Sequence, residues 1–325
     1  MKQNSNNKLK VILGITLILI IIICAIYVQF SNSKHNENND IYSNINIDKS
    51  KLNIFFFNVG QADSSLILYE DKAILIDTGN DSDGEKIVEF LKAKEINKID
   101  CVIGTHIHED HIGGMADIVD NISVEKIYMP YNVTEDANFY KKVTNSINSK
   151  KLSVETVSEN DKIILSSNFI LEVLYVDNKE PLNQNNASIV LQLEYGTQKY
   201  LFMGDAEKEV ETKLLQEDSL EDIDVLKVGH HGSETSSTKG FIDKVLPEIS
   251  IISVQNGRYN NMPSKDIIDR LKINGNQVYI TDTDGTIWIT SDGITNDVII
   301  LKDLNLNGAS KLGLRVYFRY ALFSV

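Results

Sequence analysis

Apolar positions along the chain fall into three regimes. Residues 11–28 form an uncharged run dominated by Ile and Leu, and residues 31–50 carry Asn, Ser and charge with few apolar side chains. From Lys51 onward, short β-branched runs alternate with amphipathic stretches. In this third regime residues 52–57, 65–69 and 73–76 read as a strand meander, because turn-type residues around Gly60 and at Glu70-Asp71 separate them. Ile87, Val88 and Leu91 have helical spacing within 85–94, ahead of a strand at 100–103. A helix at 112–119, a strand at 126–129 and a helix at 137–147 continue the pattern. A second strand-rich block covers 162–165, 169–175, 188–195 and 199–203. It leads to a helix at 206–216, strands at 224–228 and 249–254, a helix at 264–273 and strands at 277–281 and 286–290. Both halves mix strands with helices, no long linker divides them, and no internal repeat with recurring signature residues is present. One α/β domain over 51–303 is therefore predicted, with 304–325, basic and aromatic, as an irregular tail.

The first two regimes predict a membrane attachment. Crossing a bilayer takes about twenty apolar residues, which the run with its flanks supplies. Lys2, Lys8 and Lys10 precede it, while Lys34, Glu37 and Asp40 follow with mixed sign. The positive-inside bias then places the N-terminus in the cytoplasm and everything after residue 30 outside the cell. A cleaved signal peptide is the competing reading, but no small-x-small pair follows the run. Bulky Ile23 before Cys24 speaks against lipid attachment. Residues 1–30 are read as a signal anchor, a single transmembrane helix. Residues 31–50 are too poor in apolar surface to offset their ordering entropy and are read as a disordered linker.

Composition narrows the chemistry. The 325 residues are 42% hydrophobic and 24% charged, as in ordinary globular proteins, so the chain as a whole is not disordered. Lys and Arg number 32 against 46 Asp and Glu, a net charge of −14. That balance argues against broad electrostatic capture of nucleic acid, which depends on cationic side chains neutralising phosphates. Two cysteines, Cys24 and Cys101, exclude a disulfide framework.

The informative segment is Thr105-His106-Ile107-His108-Glu109-Asp110-His111, directly after an apolar strand and ahead of Gly113-Gly114. Extended backbone would point His106 and His108 the same way, and Asp110 and His111 can turn to a second point. Imidazole and carboxylate donors without thiolate suit zinc, manganese or iron. A second cluster, Gly229-His230-His231-Gly232-Ser233, also ends a strand; five of the six histidines lie in these two segments. Between them, Asp205 follows strand 199–203, and its two carboxylate oxygens can bridge two ions about 3.5–4 Å apart.

These residues resemble the metallo-β-lactamase fold. His106-x-His108-x-Asp110-His111 matches its metal signature, Asp77-Thr78-Gly79 its first motif and Asp205 its bridging carboxylate. Within that superfamily the chain is similar to the hydrolase domain of ComEC-type DNA-uptake proteins. That similarity is carried by Phe57-Asn58-Val59-Gly60-Gln61-Ala62-Asp63-Ser64, Asn186-Ala187-Ser188-Ile189-Val190-Leu191, Leu226-Lys227-Val228-Gly229-His230-His231-Gly232-Ser233 and Thr283-Asp284-Gly285. The resemblance implies a four-layer αβ/βα sandwich with two divalent metal ions at one edge, zinc by preference and manganese as the alternative. It implies that His106 and His108 hold the first ion and Asp110 and His111 the second, with Asp205 bridging. His230 is the next implied ligand and His231 a hydrogen-bonding neighbour or proton shuttle, the two being exchangeable. Asp77 is implied to orient a ligand histidine, and Asp110 also to accept a proton. Three segments depart from the pattern: Asn58 replaces Asp, Asn185, Asn186 and Ser188 occupy a stretch where many members supply His, and Met262 stands where relatives carry His before Pro.

The implied reaction is metal-assisted hydrolysis, in which an ion lowers the pKa of water to about 7. A phosphodiester substrate is the first expectation, either DNA or a cell-envelope polymer, with Ser233 and Lys227 as phosphate contacts. The alternatives are hydrolysis of a carbonyl ester, lactone or β-lactam, and a non-catalytic binding module with a degenerate metal site.

Overall fold

A computed structural model describes residues 45–130, 136–166, 168–179, 183–255, 257, 261–273 and 275–302, together with 16–17, 19–27, 29 and 42 and the backbone of 315–317. The chain divides into two units, Met1–Asn46 and Ile47–Val325. In the first, 16–17 and 19–27 are helical, with Leu17, Ile20, Ile23 and Tyr27 exposed. No helix among the described residues is long and apolar enough to cross a membrane. The rest of the expected anchor and residues 31–41, 43 and 44 of the expected linker lie outside the described residues.

The second unit opens with the antiparallel meander Leu52–Phe56 (β1), Ser65–Tyr69 (β2) and Lys72–Ile76 (β3). Lys98–Ile103 (β4), Ser123–Tyr128 (β5) and Val154–Glu155 (β6) then extend the sheet in parallel from β3. The second sheet repeats this plan. Lys162–Ser166 (β7), Phe169–Tyr175 (β8), Val190–Tyr195 (β9) and Gln198–Phe202 (β10) are antiparallel. Val225–Lys227 (β11), Ile249–Ile252 (β12) and Gln277–Ile280 (β13) follow in parallel. Thr286–Ser291 (β14) and Asn296–Leu301 (β15) return to the first sheet, β14 pairing with β1. Of the tail expected to be irregular, Arg315–Tyr317 (β16) pairs with β15, and the remainder lies outside the described residues.

Strand alternation separates the layers. Ile54 and Phe56 join Ile74, Ile76, Cys101 and Ile103 against Leu191, Leu193, Tyr200 and Phe202 in the core between the sheets. Phe55, one position out of phase, points to the other face, where it stacks on Trp288 at 5.1 Å and meets Phe90 edge-on at 5.2 Å. Phe90 belongs to the helix Gly84–Ala93, whose buried positions Ile87, Val88, Phe90 and Leu91 form the predicted apolar stripe. Behind the second sheet, Val210, Leu214, Phe241, Val245, Ile267 and Leu271 of three helices cover Val190, Leu201, Leu226 and Ile252. The result is the expected helix–sheet–sheet–helix order.

The helix expected at 112–119 is two short ones, Glu109–Ile112 and Met115–Asn121. Gly113 and Gly114 separate them because the chain is crowded there. A Cβ on Gly113 would lie 2.4 Å from the Asp81 nitrogen, and one on Gly114 2.3 Å from the Thr78 carbonyl oxygen. The helix Lys239–Val245 and strand β15 have no counterpart in the sequence reading.

Candidate metal centre

Five loops meet at one edge of the sandwich, each leaving the C-terminal end of a strand: β3, β4, β10, β11 and β12. Parallel pairing brings these ends level, the geometry that builds sites in open α/β sheets. Backbone hydrogen bonds bind the loops together. Thr78 N–H donates to the His111 carbonyl (2.6 Å), Ile189 N–H to the Thr105 carbonyl (2.9 Å) and His230 N–H to the Gly204 carbonyl (3.1 Å). Strand β4 stops at Ile103, so His106 and His108 converge through a loop and not by strand alternation. Their rings lie edge to face, His106 Nε2 being 2.9 Å from His108 Nδ1.

Among the described residues four groups of ligand-type atoms result: Asp63 with Asp205 and His231, Asp63 with Asp77 and His111, and two that together hold most of the residues singled out in the sequence. Of these last two, His106, His108 and Asp205 form one, and Asp110, His111 and His231 the other; within each, the atoms lie within 4.8 Å of one another. Asp205 stands between them: Oδ2 is 3.8 Å from His106 Nε2 and 3.7 Å from His231 Nε2, and Oδ1 is 3.3 Å from His111 Nε2. Asp110 Oδ2 is 3.3 Å from His231 Nε2.

The donor set fits divalent cations. His111 Nε2, His231 Nε2 and Asp205 Oδ1 are buried and have no hydrogen-bond partner in the protein. Buried polar atoms are otherwise almost always paired, so this convergence calls for a ligand. Nitrogen and carboxylate donors of this kind suit zinc or manganese. The opposite ring nitrogens are anchored, as metal-binding imidazoles require. His111 Nδ1 lies 2.8 Å from Asp77 Oδ2, and His231 Nδ1 donates to the Ser253 carbonyl at 2.8 Å.

The electrostatics follow from burial and crowding. Burial, with His111 beside it, holds His106 well below the usual imidazole pKa. Burial pulls His111 down too, but the Asp205 and Asp77 carboxylates outweigh it and hold the ring well above its ordinary value. His231 is raised to about 10 against the same burial penalty by Asp205, Asp110 and Asp63. Burial opposes ionisation of Asp205, but His111 and His231 hold it well below the carboxylate range.

Of the two arrangements left open for His230 and His231, the structure turns His231 inward. His231 is 2% exposed and enters the group with Asp110 and His111. The His230 side chain is 18% exposed and turns to the rim, its Nδ1 3.1 Å from Glu207 Oε1 and 2.9 Å from Thr235 Oγ1. The backbone explains the divergence: both residues are left-handed, with φ of 46° and 52°, which swings consecutive side chains apart. The expected phosphate contacts also need correcting. Lys227 is 2% exposed and paired with Asp63 Oδ2 at 2.7 Å, and buried Ser233 hydrogen-bonds within its own loop to Thr235. Neither presents a free group to a substrate. Met262 packs against the apolar cluster under the helices, with Gln61 Nε2 3.8 Å from its sulfur, and belongs to neither ligand group.

The sequence reading gave no role at the site to Thr105, Ser188 or Asp63, though all three stand in its motifs, and did not single out Glu207. Thr105 donates to Asp77 through both N–H and hydroxyl at 2.8 Å, and Ser188 Oγ accepts from Asp205 N–H at 2.9 Å. Asp63 was visible as a charged residue closing an otherwise uncharged segment before β2.

The sequence pattern of the Metallo-beta-lactamase superfamily matches residues 57–255. The chain belongs to that superfamily. Among its curated relatives, ComE operon protein 3 of Bacillus subtilis (strain 168) is 31% identical over 248 residues, covering 70% of this chain and 32% of that protein. Competence protein ComA of Neisseria gonorrhoeae is 25% identical over 244 residues, covering 74% and 32%. The chain thus spans about a third of the length of these relatives. Among solved structures it is similar to the metallo-beta-lactamase fold protein YhfI of Bacillus subtilis, with 11% identity, a TM-score of 0.49 and coverage of 74% and 100%. Metallo-beta-lactamase proteins typically bind divalent metals such as zinc, in keeping with the donor set here.

The Asp77–His111 contact gives a first test. Asp77→Asn keeps the side-chain volume and tolerates the left-handed backbone at φ 58°. It is expected to weaken metal binding about 10–100-fold, measured by competition with a chromogenic chelator.

Proposed function

We propose that this chain is a metal-dependent phosphodiester hydrolase, tethered to the membrane by its N-terminal apolar run with the hydrolase domain outside the cell. The observation that carries the reading is the Asp205 carboxylate lying between the His106–His108 pair and the group of Asp110, His111 and His231. Two cation positions sharing a carboxylate suit in-line displacement at phosphorus, where attacking and leaving oxygens both need stabilising. When bound, the two ions would supply Lewis acidity and neutralise charge developing on the phosphoryl group.

The chain's own residues do the rest. His106, His108 and Asp205 would hold one ion, and Asp110, His111 and His231 with Asp205 the other. Asp77 fixes the His111 ring by its Nδ1, and the Ser253 carbonyl fixes His231. Asp110, the most accessible member of its group, is placed to accept a proton. His230 stands at the rim with Nε2 4.0 Å from Asp205 Oδ2, where it can hold a proton near the leaving group. Glu207, Thr235 and the Asn185 amide fix its orientation.

DNA is the substrate class favoured by the relatives, one of which is named a competence protein. The net charge of −14 favours short or locally engaged strands, because an acidic surface repels a long polyanion. The purified chain is expected to hydrolyse bis(p-nitrophenyl) phosphate with added Zn2+ or Mn2+, and Asp110→Ala to lose that turnover. Oligodeoxynucleotide and an envelope phosphodiester polymer are then compared. No turnover with either metal from folded protein would overturn the reading and shift weight to carbonyl esters.

A further inference from the structure

Asp63 ties the loops of the centre together. Its N–H donates to the Asp110 carbonyl at 3.0 Å, and its carbonyl accepts from Gly79 N–H at 2.8 Å. Oδ2 of the buried carboxylate meets Lys227 Nζ at 2.7 Å, while Oδ1, which has no hydrogen-bond partner in the protein, lies 3.4 Å from His231 Nδ1. Lys227 is itself buried, its ammonium also donating to the Val228 carbonyl at 3.0 Å. A lysine charge this close to a divalent-cation centre opposes metal binding unless it is cancelled locally.

We propose that Asp63 and Lys227 form a neutral pair that holds the His231 ring with Nε2 toward Asp110 and Asp205, and that Asp63 is a positioning residue, not a metal ligand. The proposal rests on the metal-centre reading above. Asp63 does lie within 4.8 Å of ligand-type atoms of Asp205 and His231, and likewise of Asp77 and His111. It approaches His231 from the Nδ1 side, however, and Nδ1 carries the proton that donates to the Ser253 carbonyl. A carbonyl can only accept, so this nitrogen has no lone pair for a cation. The pair also anchors β11, which carries Lys227, to the loop before β2, so that its two partners come from opposite sheets.

The test is metal titration of the full chain, with Zn2+ by calorimetry and Co2+ by visible absorption, with circular dichroism on each variant. Asp63→Asn leaves the lysine charge uncancelled and is expected to weaken one of two metal equivalents about 10–100-fold, with altered Co2+ bands. Asp63→Asn/Lys227→Met removes both charges while keeping an acceptor for His231, and is expected to bind both equivalents like the unchanged chain. Should the single variant not fold, the double variant decides alone. A double variant that folds yet still lacks one equivalent would show Asp63 to be a ligand and overturn the proposal. So would a folded single variant with unchanged affinities. If the unchanged chain takes up no metal, the metal-centre reading falls and the proposal with it, an outcome distinct from either variant result.

Discussion

Replacing Asp205 by alanine is expected to remove both metal equivalents and to lower phosphodiester turnover about 10³-fold or more. The size follows from the position. Metal ions stabilise transition-state charge by several kcal/mol, and each 1.36 kcal/mol is about tenfold in rate. Asp205 is the one carboxylate lying against His106, His111 and His231 together, so its loss opens both ligand groups. Metal-free Asp205→Ala should also melt lower than the metal-free parent, because the carboxylate offsets the charge held on His111 and His231. His230→Ala is the informative contrast. Its ring faces Glu207 and Thr235 at the rim, so metal content should stay at two equivalents while turnover falls about 10²-fold, the scale of a lost proton-transfer group. Metal analysis by mass spectrometry beside the kinetic assay separates the two. Loss of a metal equivalent in His230→Ala would restore the ligand assignment first drawn from the sequence.

The reason that assignment needed structure is local. His230 and His231 are adjacent, and spacing alone cannot say which ring turns inward when both residues take a left-handed backbone. The loop after β4 was different: three histidines and an aspartate packed into six positions behind an apolar strand have few arrangements other than convergence. Lys227 shows the opposite failure. A lysine at the end of a strand beside two histidines looks like a phosphate contact, and only the arrival of Asp63 from a loop more than 160 positions earlier makes it a buried partner. Most strands were legible because their apolar runs are buried on both faces, as β1 and β2 are along their whole length. The helix Lys239–Val245 was not. Its buried positions are Phe241, Ile242 and Val245, too few turns for a periodic signal. Gly113 and Gly114, between the two short helices, leave no room for a side chain where the loop after β3 packs on them, a tertiary contact that no local pattern encodes.

The same crowding of carboxylates and imidazoles predicts how metal uptake depends on pH. The carboxylates hold His111 well above the usual imidazole value and raise His231 to about 10, so both rings are expected to carry a second proton in the metal-free protein at pH 7. Metal ligation requires neutral imidazole, so Zn2+ binding at pH 7 is expected to release about two protons per chain. Affinity should then rise by up to about two decades per pH unit through the neutral range. The sign for the metal-free fold is opposite. A histidine with a raised pKa contributes stability fully below its unfolded value near 6.5, and that contribution is lost as pH climbs through about 10. The metal-free melting temperature should therefore fall from pH 7 to pH 10 while the metal-loaded protein holds its own, so the stabilisation conferred by Zn2+ widens as pH rises. Calorimetric titration in buffers of different ionisation enthalpy measures the protons directly. A heat of binding independent of buffer would mean that His111 and His231 are already neutral at pH 7, and that Asp77, Asp110 and Asp205, the carboxylates left beside the Asp63–Lys227 pair, are balanced in the metal-free protein by something other than these two rings. With about two protons released, the metal-free centre is a cluster in which protons on His111 and His231 occupy the place in the charge balance that the cations take.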